Sequence, residues 1–417
     1  MRVIHLNTYD IRGGAALATY RLHKALERLG HQSSMFVLTK SSDDTSVVQF
    51  KPATDLMSRM RRRFRGERIA RDFARYQASK PRGYEPFSDD RSRYTRELLA
   101  HFPPCDIINL HWVASYLDYW TFFSSIPDRT PVVWRLADMN AFTGGCHYDD
   151  GCGRFCQECG ECPQLGSMQS NDLSRRVWKR KEAVFRTVNP ARLHIVALSR
   201  WMAEQVRQSP LLSRFPLTII PNGIDTEMFC ARDRRTARGL LGIRQDMRVF
   251  LFVADDVMNR RKGLMLLSDA LIGQSTIGDL LVVSVGHGKP ALDSRIRHLH
   301  LGHIEYQRLS LAYSAADVFV ISSLQEAFGN TILESMACGT PVVGFAVGSI
   351  PDMVRPGITG LLVPPYDISA LRAAILGLVQ NEKQRTEMSR NCRQIAVEEY
   401  SLELQARRYR QLYKNLL

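Results

Sequence analysis

Hydrophobic positions along this chain fall into short continuous runs separated by longer stretches with helical spacing. Val3–Asn7 is such a run. A turn, Asp10-Ile11-Arg12-Gly13-Gly14, follows it, and then Leu17, Tyr20, Leu22, Ala25, Leu26 and Leu29 recur at helical intervals up to a Gly30 stop. Further strand-like runs are Ser34–Leu38, Asp106–Leu110 and Pro131–Leu136. The second half repeats the pattern with Arg192–Ala197, Leu217–Ile220, Arg248–Ala254, Leu280–Val285, Ala316–Ile321 and Pro341–Phe345. Helical stretches at Arg261–Leu271 and Gly329–Cys338 separate some of these. Strands alternating with helices predict an α/β fold built on parallel sheets. At roughly 100–200 residues per domain, 417 residues predict two domains. The expected boundaries are 1–205 and 206–401, with a last helix, 402–417, free to complete the first domain.

Composition narrows the picture. A hydrophobic fraction of 45% and a charged fraction of 24% suit a globular protein. No apolar run reaches the ~18–20 residues of a spanning helix. The start, Met1-Arg2-Val3-Ile4-His5-Leu6, runs straight into a strand pattern, so no signal peptide is expected and the reading is cytoplasmic. A formal net charge of +14 implies anionic partners. Five of the nine cysteines fall between Cys146 and Cys162, and in a chain with no export signal that argues for metal rather than disulfides.

The richest chemistry lies between Ser322 and Val343. It reads as strand, polar loop, helix, Gly stop and strand. Glu326 falls in the loop and Glu334 eight residues later in the helix, a little over two turns away, so both carboxylates can project toward one cleft. Amides around Phe328, Gly329, Asn330 and Thr331 open the helix and form an anion site with its dipole. Arg261-Lys262 places two cations at another helix N-terminus, an unfavourable position unless something anionic compensates.

This segment resembles the E-x7-E signature of retaining glycosyltransferases of family 4. An ordered series agrees with it: Pro221-Asn222-Gly223-Ile224-Asp225 with Phe229, Arg261-Lys262-Gly263, Gly286, Gly302, Tyr313-Ser314-Ala315-Ala316-Asp317, and Gly357-Ile358-Thr359-Gly360. The resemblance is continuous over about residues 190–400. It implies a GT-B fold, two Rossmann-like domains facing across a cleft, with a nucleotide-sugar donor in the C-terminal half and an acceptor in the N-terminal half. It further implies that Glu334 holds the ribose hydroxyls, that Glu326 contacts the donor sugar, and that Arg261 and Lys262 neutralise the diphosphate. Cations there would stabilise the charge that builds on a departing nucleoside diphosphate. Asp256 stands where the family often has an additional Arg. The chain has no evident Asp-x-Asp motif, so no catalytic metal is expected.

In the N-terminal half, Gly13 and Gly14 open the first helix and, by the resemblance, lie over the diphosphate. They are not a G-x-G-x-x-G fingerprint, which argues against a dehydrogenase. His111 and Asp138 each follow a strand and are the candidate catalytic groups; Ala137 stands where the family commonly has His. Residues 143–165 resemble a cysteine-rich insertion of polysaccharide-assembly transferases. Cys146, Cys152, Cys159 and Cys162 are the candidate ligands of a structural zinc. Cys156-x2-Cys159-x2-Cys162 also fits an iron–sulfur run, and a reduced metal-free loop is the third reading.

Residues 59–82 carry Arg59, Arg61, Arg62, Arg63, Arg65, Arg68, Arg71, Arg75, Lys80 and Arg82, with Phe64, Ile69, Phe73 and Tyr76 interleaved. The segment reads either as a basic amphipathic helix on an anionic leaflet, which would place the enzyme at the inner face of the membrane and suit a lipid-linked glycan acceptor, or as a mobile solvated loop. No nucleic-acid module accompanies the charge. Two other functions fit the same features: a GT-B-fold nucleotide-sugar epimerase or hydrolase, and a catalytically inactive sugar-nucleotide-binding subunit.

Overall fold

In the computed structural model the first apolar run forms β1 (Arg2–Tyr9), with six consecutive buried residues. Unbroken burial means that both faces of the strand are covered, the condition of a parallel sheet between helices. The structure describes residues 1–81, 83–272 and 279–417. Gly13, at φ 80°, turns the chain into α1 (Gly14–Arg28), whose Leu17, Leu22, Ala25 and Leu26 face inward. Next come β2 (Gln32–Thr39), β3 (Val47–Gln49), α2 (Leu56–Ala74), α3 (Arg96–Ala100), β4 (Ile107–Leu110), α4 (Tyr119–Ser125), β5 (Val132–Arg135), α5 (Leu173–Thr187), β6 (Leu193–Ala197), α6 (Arg200–Gln208) and β7 (Leu217–Ile219). Among the described residues these strands form a seven-stranded sheet in the order β3-β2-β1-β4-β5-β6-β7. The order reverses between β1 and β4, where Leu6 pairs with Leu110.

A second sheet follows. Its elements are α7 (Arg234–Leu240), β8 (Arg248–Asp256), α8 (Leu264–Leu271), β9 (Leu280–His287), β10 (His298–His300), α9 (Tyr306–Ala315), β11 (Val318–Ile321), α10 (Asn330–Ala337), β12 (Val342–Phe345), α11 (Ile350–Met353), β13 (Gly360–Val363), α12 (Ile368–Gln380), α13 (Glu382–Tyr400) and α14 (Leu402–Leu416). The order is β10-β9-β8-β11-β12-β13, again parallel, and the switch lies between β8 and β11. Phe250, Phe252, Val318, Val320, Val343 and Phe345 pack against Leu267, Leu371, Ile375 and Leu378 to make its core. Asp317, 1% exposed, pins this unit: Arg238 (2.9 Å), Arg234 (3.0 Å) and the Val249 amide (2.8 Å) all donate to its carboxylate.

The chain divides into two units, Met1–Pro221 with Ala406–Leu417, and Asn222–Gln405. The division falls later than residue 205 because β7 pairs in parallel with β6 and extends the first sheet. Tyr409 and Tyr413 of α14 are buried in the first unit, and Asn109 of β4 donates to the Tyr413 hydroxyl at 2.6 Å. Among the described residues no helix is long and apolar enough to cross a membrane.

Candidate functional site

In the second unit the loops after β8 and β11 meet at the switch between those strands, the place where open α/β sheets receive ligands. Asn259 accepts from the Arg261 amide and starts a 3-10 turn over Arg260–Lys262. Gly263, at φ 75°, ends that turn; a Cβ there would lie 2.0 Å from the Ser322 carbonyl oxygen, so the two loops approach as closely as only glycine permits. The expected helix over Arg261–Leu271 therefore begins only at Leu264. The Leu324 amide donates to the Arg261 carbonyl at 2.7 Å, and the Arg261 guanidinium donates to the Gln325 carbonyl at 2.6 Å.

This closure gathers the predicted charges. Lys262 Nζ lies 2.7 Å from Glu326 Oε2, with Arg261 at 3.5 Å from the same oxygen. Ser323 Oγ donates to it at 3.3 Å, a partner the sequence pattern did not single out. Glu326 and Glu334 are each 4% exposed, so neither is a solvated helix charge. Glu334 accepts from the Tyr313 hydroxyl at 3.2 Å, which gives a role to the Tyr in the 313–317 motif. Phe328 and Gly329 lead into α10, which has no side-chain N-cap, followed by Asn330 and Thr331. Asn222 donates to Asn330 at 2.9 Å. Asp256 accepts from the Met258 amide at 2.8 Å and serves the turn after β8.

The first unit holds a second cluster at the carboxyl ends of β1, β4 and β5. Asp10 accepts from the amides of Ile11, Ser41 and Ser42 and fixes the loop leading to Gly13 and Gly14. Arg12 lies over Tyr9 at 5.5 Å, Tyr9 stacks on Trp112 at 6.0 Å, and Trp112 stacks on His147 at 5.4 Å. Asp138 sits at the base of this stack. Trp112 Nε1 donates to its Oδ2 at 2.9 Å, His147 Nδ1 stands 2.6 Å from the same oxygen, and the Asn140 amide donates to Oδ1 at 2.8 Å. Burial alone would raise the Asp138 carboxyl, but the His147 ring and these hydrogen bonds hold it below the usual carboxylate range.

His111 lines one pocket with Asp138 and His147 but makes no direct hydrogen bond to Asp138 among those of the described residues. Its ring is 2% exposed, with Nε2 2.9 Å from His5 Nδ1 and Nδ1 3.4 Å from an Arg135 nitrogen. Burial, then the neighbouring His5 and Arg135, depress its pKa well below the ordinary value and keep it neutral. His147, delivered by the cysteine-rich loop, is the histidine that meets Asp138, nine residues away across a loop that no periodicity predicts.

The cysteine expectation also changes. Cys146, Cys152, Cys159 and Cys162 line one small pocket with Asp149 and Phe155. Yet among the described residues no three His, Cys, Asp or Glu side chains are arranged to hold a metal ion. Cys146 and Cys162 pack with Phe87, Leu165, Leu173 and Val177. Burial pushes the Cys159 thiol up to about 12 and the Cys162 thiol up to about 11. Cys156 faces Gln208 instead, outside this pocket.

The basic segment forms α2, capped by Asp55, and none of its residues is buried. Its outward apolar residues are Leu56, Met57, Met60 and Phe64, which are 63–79% exposed. Phe73 and Tyr76 turn inward onto the Phe87 cluster, and Arg62 and Arg65 pair with Glu97 and Asp118, so these four leave the expected membrane face. Arg82 lies outside the described residues.

Comparison with known proteins follows the same division. A model described as Glycosyltransferase Family 4 matches residues 12–228, and one described as Glycosyl transferases group 1 matches residues 233–395. A D-inositol 3-phosphate glycosyltransferase of Geodermatophilus obscurus is 34% identical over 176 residues, covering 38% of this chain and 39% of that protein. The chain thus spans about two fifths of the length of the curated relatives it matches. Sucrose-phosphate synthase from Thermosynechococcus elongatus has a similar structure, with a TM-score of 0.69 at 20% identity over 100% of this chain and 99% of that one. Anabaena HepE in complex with UDP-glucose gives 0.65 at 16% identity, covering all of both chains.

Proposed function

The chain belongs to glycosyltransferase family 4 and has the GT-B fold, and on that premise we propose that it is a retaining transferase whose second unit holds a nucleotide-sugar donor and whose first unit holds the acceptor. The observation that carries this reading is the buried Glu326 with Lys262 at 2.7 Å and Arg261 at 3.5 Å, set at the switch point of the second sheet. Two cations held at a ligand-binding edge suit a diphosphate leaving group, whose charge grows as the glycosidic bond breaks. Glu334 receives the ribose hydroxyls, as a carboxylate that only accepts hydrogen bonds. Glu326 contacts the sugar. The first turn of α10, from Asn330, and the Gly13-Gly14 turn supply amides to the phosphates. Asp138 serves the acceptor side.

The acceptor is a glycan, carried on lipid, within cell-surface polysaccharide assembly. Its support is α2: an exposed Met57, Met60 and Phe64 stripe beside Arg59, Arg61, Arg63 and Arg68, all on the surface. That combination suits an anionic leaflet, at about 1 kcal/mol for each basic residue near it. The test of function is release of nucleoside diphosphate from a panel of UDP-, GDP- and ADP-sugars, with and without added glycosides. Turnover that requires the glycoside supports the transferase. Equal release without it supports a hydrolase, and donor binding with no turnover supports an inactive subunit.

A further inference from the structure

His147 reaches the first unit's ligand-binding edge from the cysteine-rich loop, and the transferase reading leaves it without a task. Its ring is held on every side. Nδ1 faces Asp138 Oδ2 at 2.6 Å, Nε2 faces Ser88 Oγ at 2.8 Å, and the Trp112 ring lies against its face at 5.4 Å and 30°. Trp112 Nε1 also stands 3.3 Å from Nδ1, but its shorter contact is to Asp138 Oδ2 at 2.9 Å. With the indole N–H directed to that oxygen, the proton sits on Nδ1, donating to Asp138, and Nε2 accepts from the Ser88 hydroxyl. Trp112, Asn140, His147 and Ser88 come from separate stretches of chain, and the first three converge on one carboxylate.

That carboxylate is not used up. An ionised carboxylate offers about four acceptor positions. Trp112 and His147 take those of Oδ2, and Asn140 takes one of Oδ1. Among the described residues nothing takes the second position on Oδ1. The Asp138 side chain keeps 12% exposure while the His147 side chain has 5%, and both line a pocket with Trp112, Ala137 and Asn140. A buried carboxylate with one open acceptor position, beside the edge of an aromatic stack, matches a hydroxyl of a sugar or other polyol.

We propose that His147 is a positioning residue that orients Asp138 to accept a hydrogen bond from a substrate hydroxyl, so that the cysteine-rich loop completes the acceptor site. This rests on the transferase reading. The loop then has a functional reason to be packed by Cys146 against Phe87. Its geometry is conveyed to substrate through one residue, His147.

The test uses the full chain and the donor panel above, with His147→Leu, His147→Asn and Asp138→Asn. An Asn amide can reproduce the Nδ1 donor; Leu fills the space without one. His147→Leu should lower kcat about 100-fold, the cost of a misplaced contact near the reacting atoms, with the KM for donor unchanged. His147→Asn should recover most of that loss. In 15N-histidine spectra, one protected Nδ1–H resonance should be present in the native chain and vanish in both His147→Leu and Asp138→Asn. If His147→Leu keeps its kcat and loses only thermal stability, the residue is structural and the proposal is overturned. A native chain inert across the whole panel sinks the transferase reading, and this proposal with it. An active native chain whose His147→Asn variant is as damaged as His147→Leu sinks this proposal alone.

Discussion

Replacing Glu326 with Gln should tighten the binding of free nucleoside diphosphate while it slows turnover. The Lys262 ammonium faces Glu326 at 2.7 Å and Arg261 stands at 3.5 Å. A phosphate that takes the far side of the ammonium adds a contact of about 2.8 Å, which puts it about 5.5 Å from the carboxylate. At an effective dielectric of about 20, two like unit charges at that distance repel by about 3 kcal/mol. Lys262 is 23% exposed and Arg261 13%, so solvent weakens the effect. A gain of about 1.4 kcal/mol, or tenfold in affinity, is the expected remainder. Calorimetry with UDP, GDP and ADP reads the affinity, and release from the matching nucleotide sugar reads turnover. Turnover should fall because Gln no longer holds the sugar hydroxyls as a carboxylate does. Lys262→Met is the control and should weaken both. Weaker diphosphate binding in Glu326→Gln, with the chain still folded, would refute the argument that this carboxylate competes for the cations.

Acid should destabilise the first unit: His5, His23 and His111 are buried with depressed pKa values, His23 at about 4. The unfolded chain takes up these protons near pH 6.5 and the folded chain does not, so their stability is complete above about 6.5 and is lost as pH falls toward 4. At 1.36 kcal/mol per tenfold change in proton affinity, His23 alone withdraws about 3 kcal/mol, and urea midpoints that stay flat from pH 7.5 to 5 would contradict this. Anionic vesicles should sediment the protein at low salt and release part of it at high salt; changing Met57, Met60 and Phe64 to Ser should remove the salt-resistant part, and no binding even at low salt would leave α2 a solvated helix.

Much of this fold is legible in the chain because its central strands are buried on both faces. β11 and β12 are continuous apolar runs and β1, β4 and β8 are apolar-rich, a pattern that needs no partner to be recognised. β7 is only three residues long and half-exposed, so its membership of the first sheet is not written in its own composition. Glu326, Arg261 and Lys262 are legible as a group because each sits at the end of a strand, and the strand order brings those ends together. His111 sits in the same kind of position and lines the Asp138 pocket, yet its ring nitrogens face His5 and Arg135. Spacing places a residue in a loop but does not say which way its ring points. The same limit applies to Phe73 and to Arg62 and Arg65 on α2. Cysteine spacing shows which thiols can gather, while Phe87 and Leu173, distant in sequence, decide how they pack.

Glu326 and Asp138 are the central carboxylates of the two candidate sites, and the difference between their partners implies a difference in behaviour. Glu326 is held by cations whose side chains keep some exposure, on a turn closed by Gly263. Cations can be shared with an incoming anion, so this carboxylate can release them and take a new partner without the loop refolding. Asp138 is held by an indole, an imidazole and an amide that have no reason to prefer an anionic ligand, and the imidazole is itself fixed by Ser88. Exchanging those donors would leave a buried carboxylate under-satisfied, which is costly. On the proposed reading, the Glu326 side would rearrange when a diphosphate arrives, while the Asp138 side would stay still. A transferase needs that asymmetry, because the charge that develops at the leaving group must be met by groups free to follow it, while the hydroxyl side gains most from a geometry set in advance.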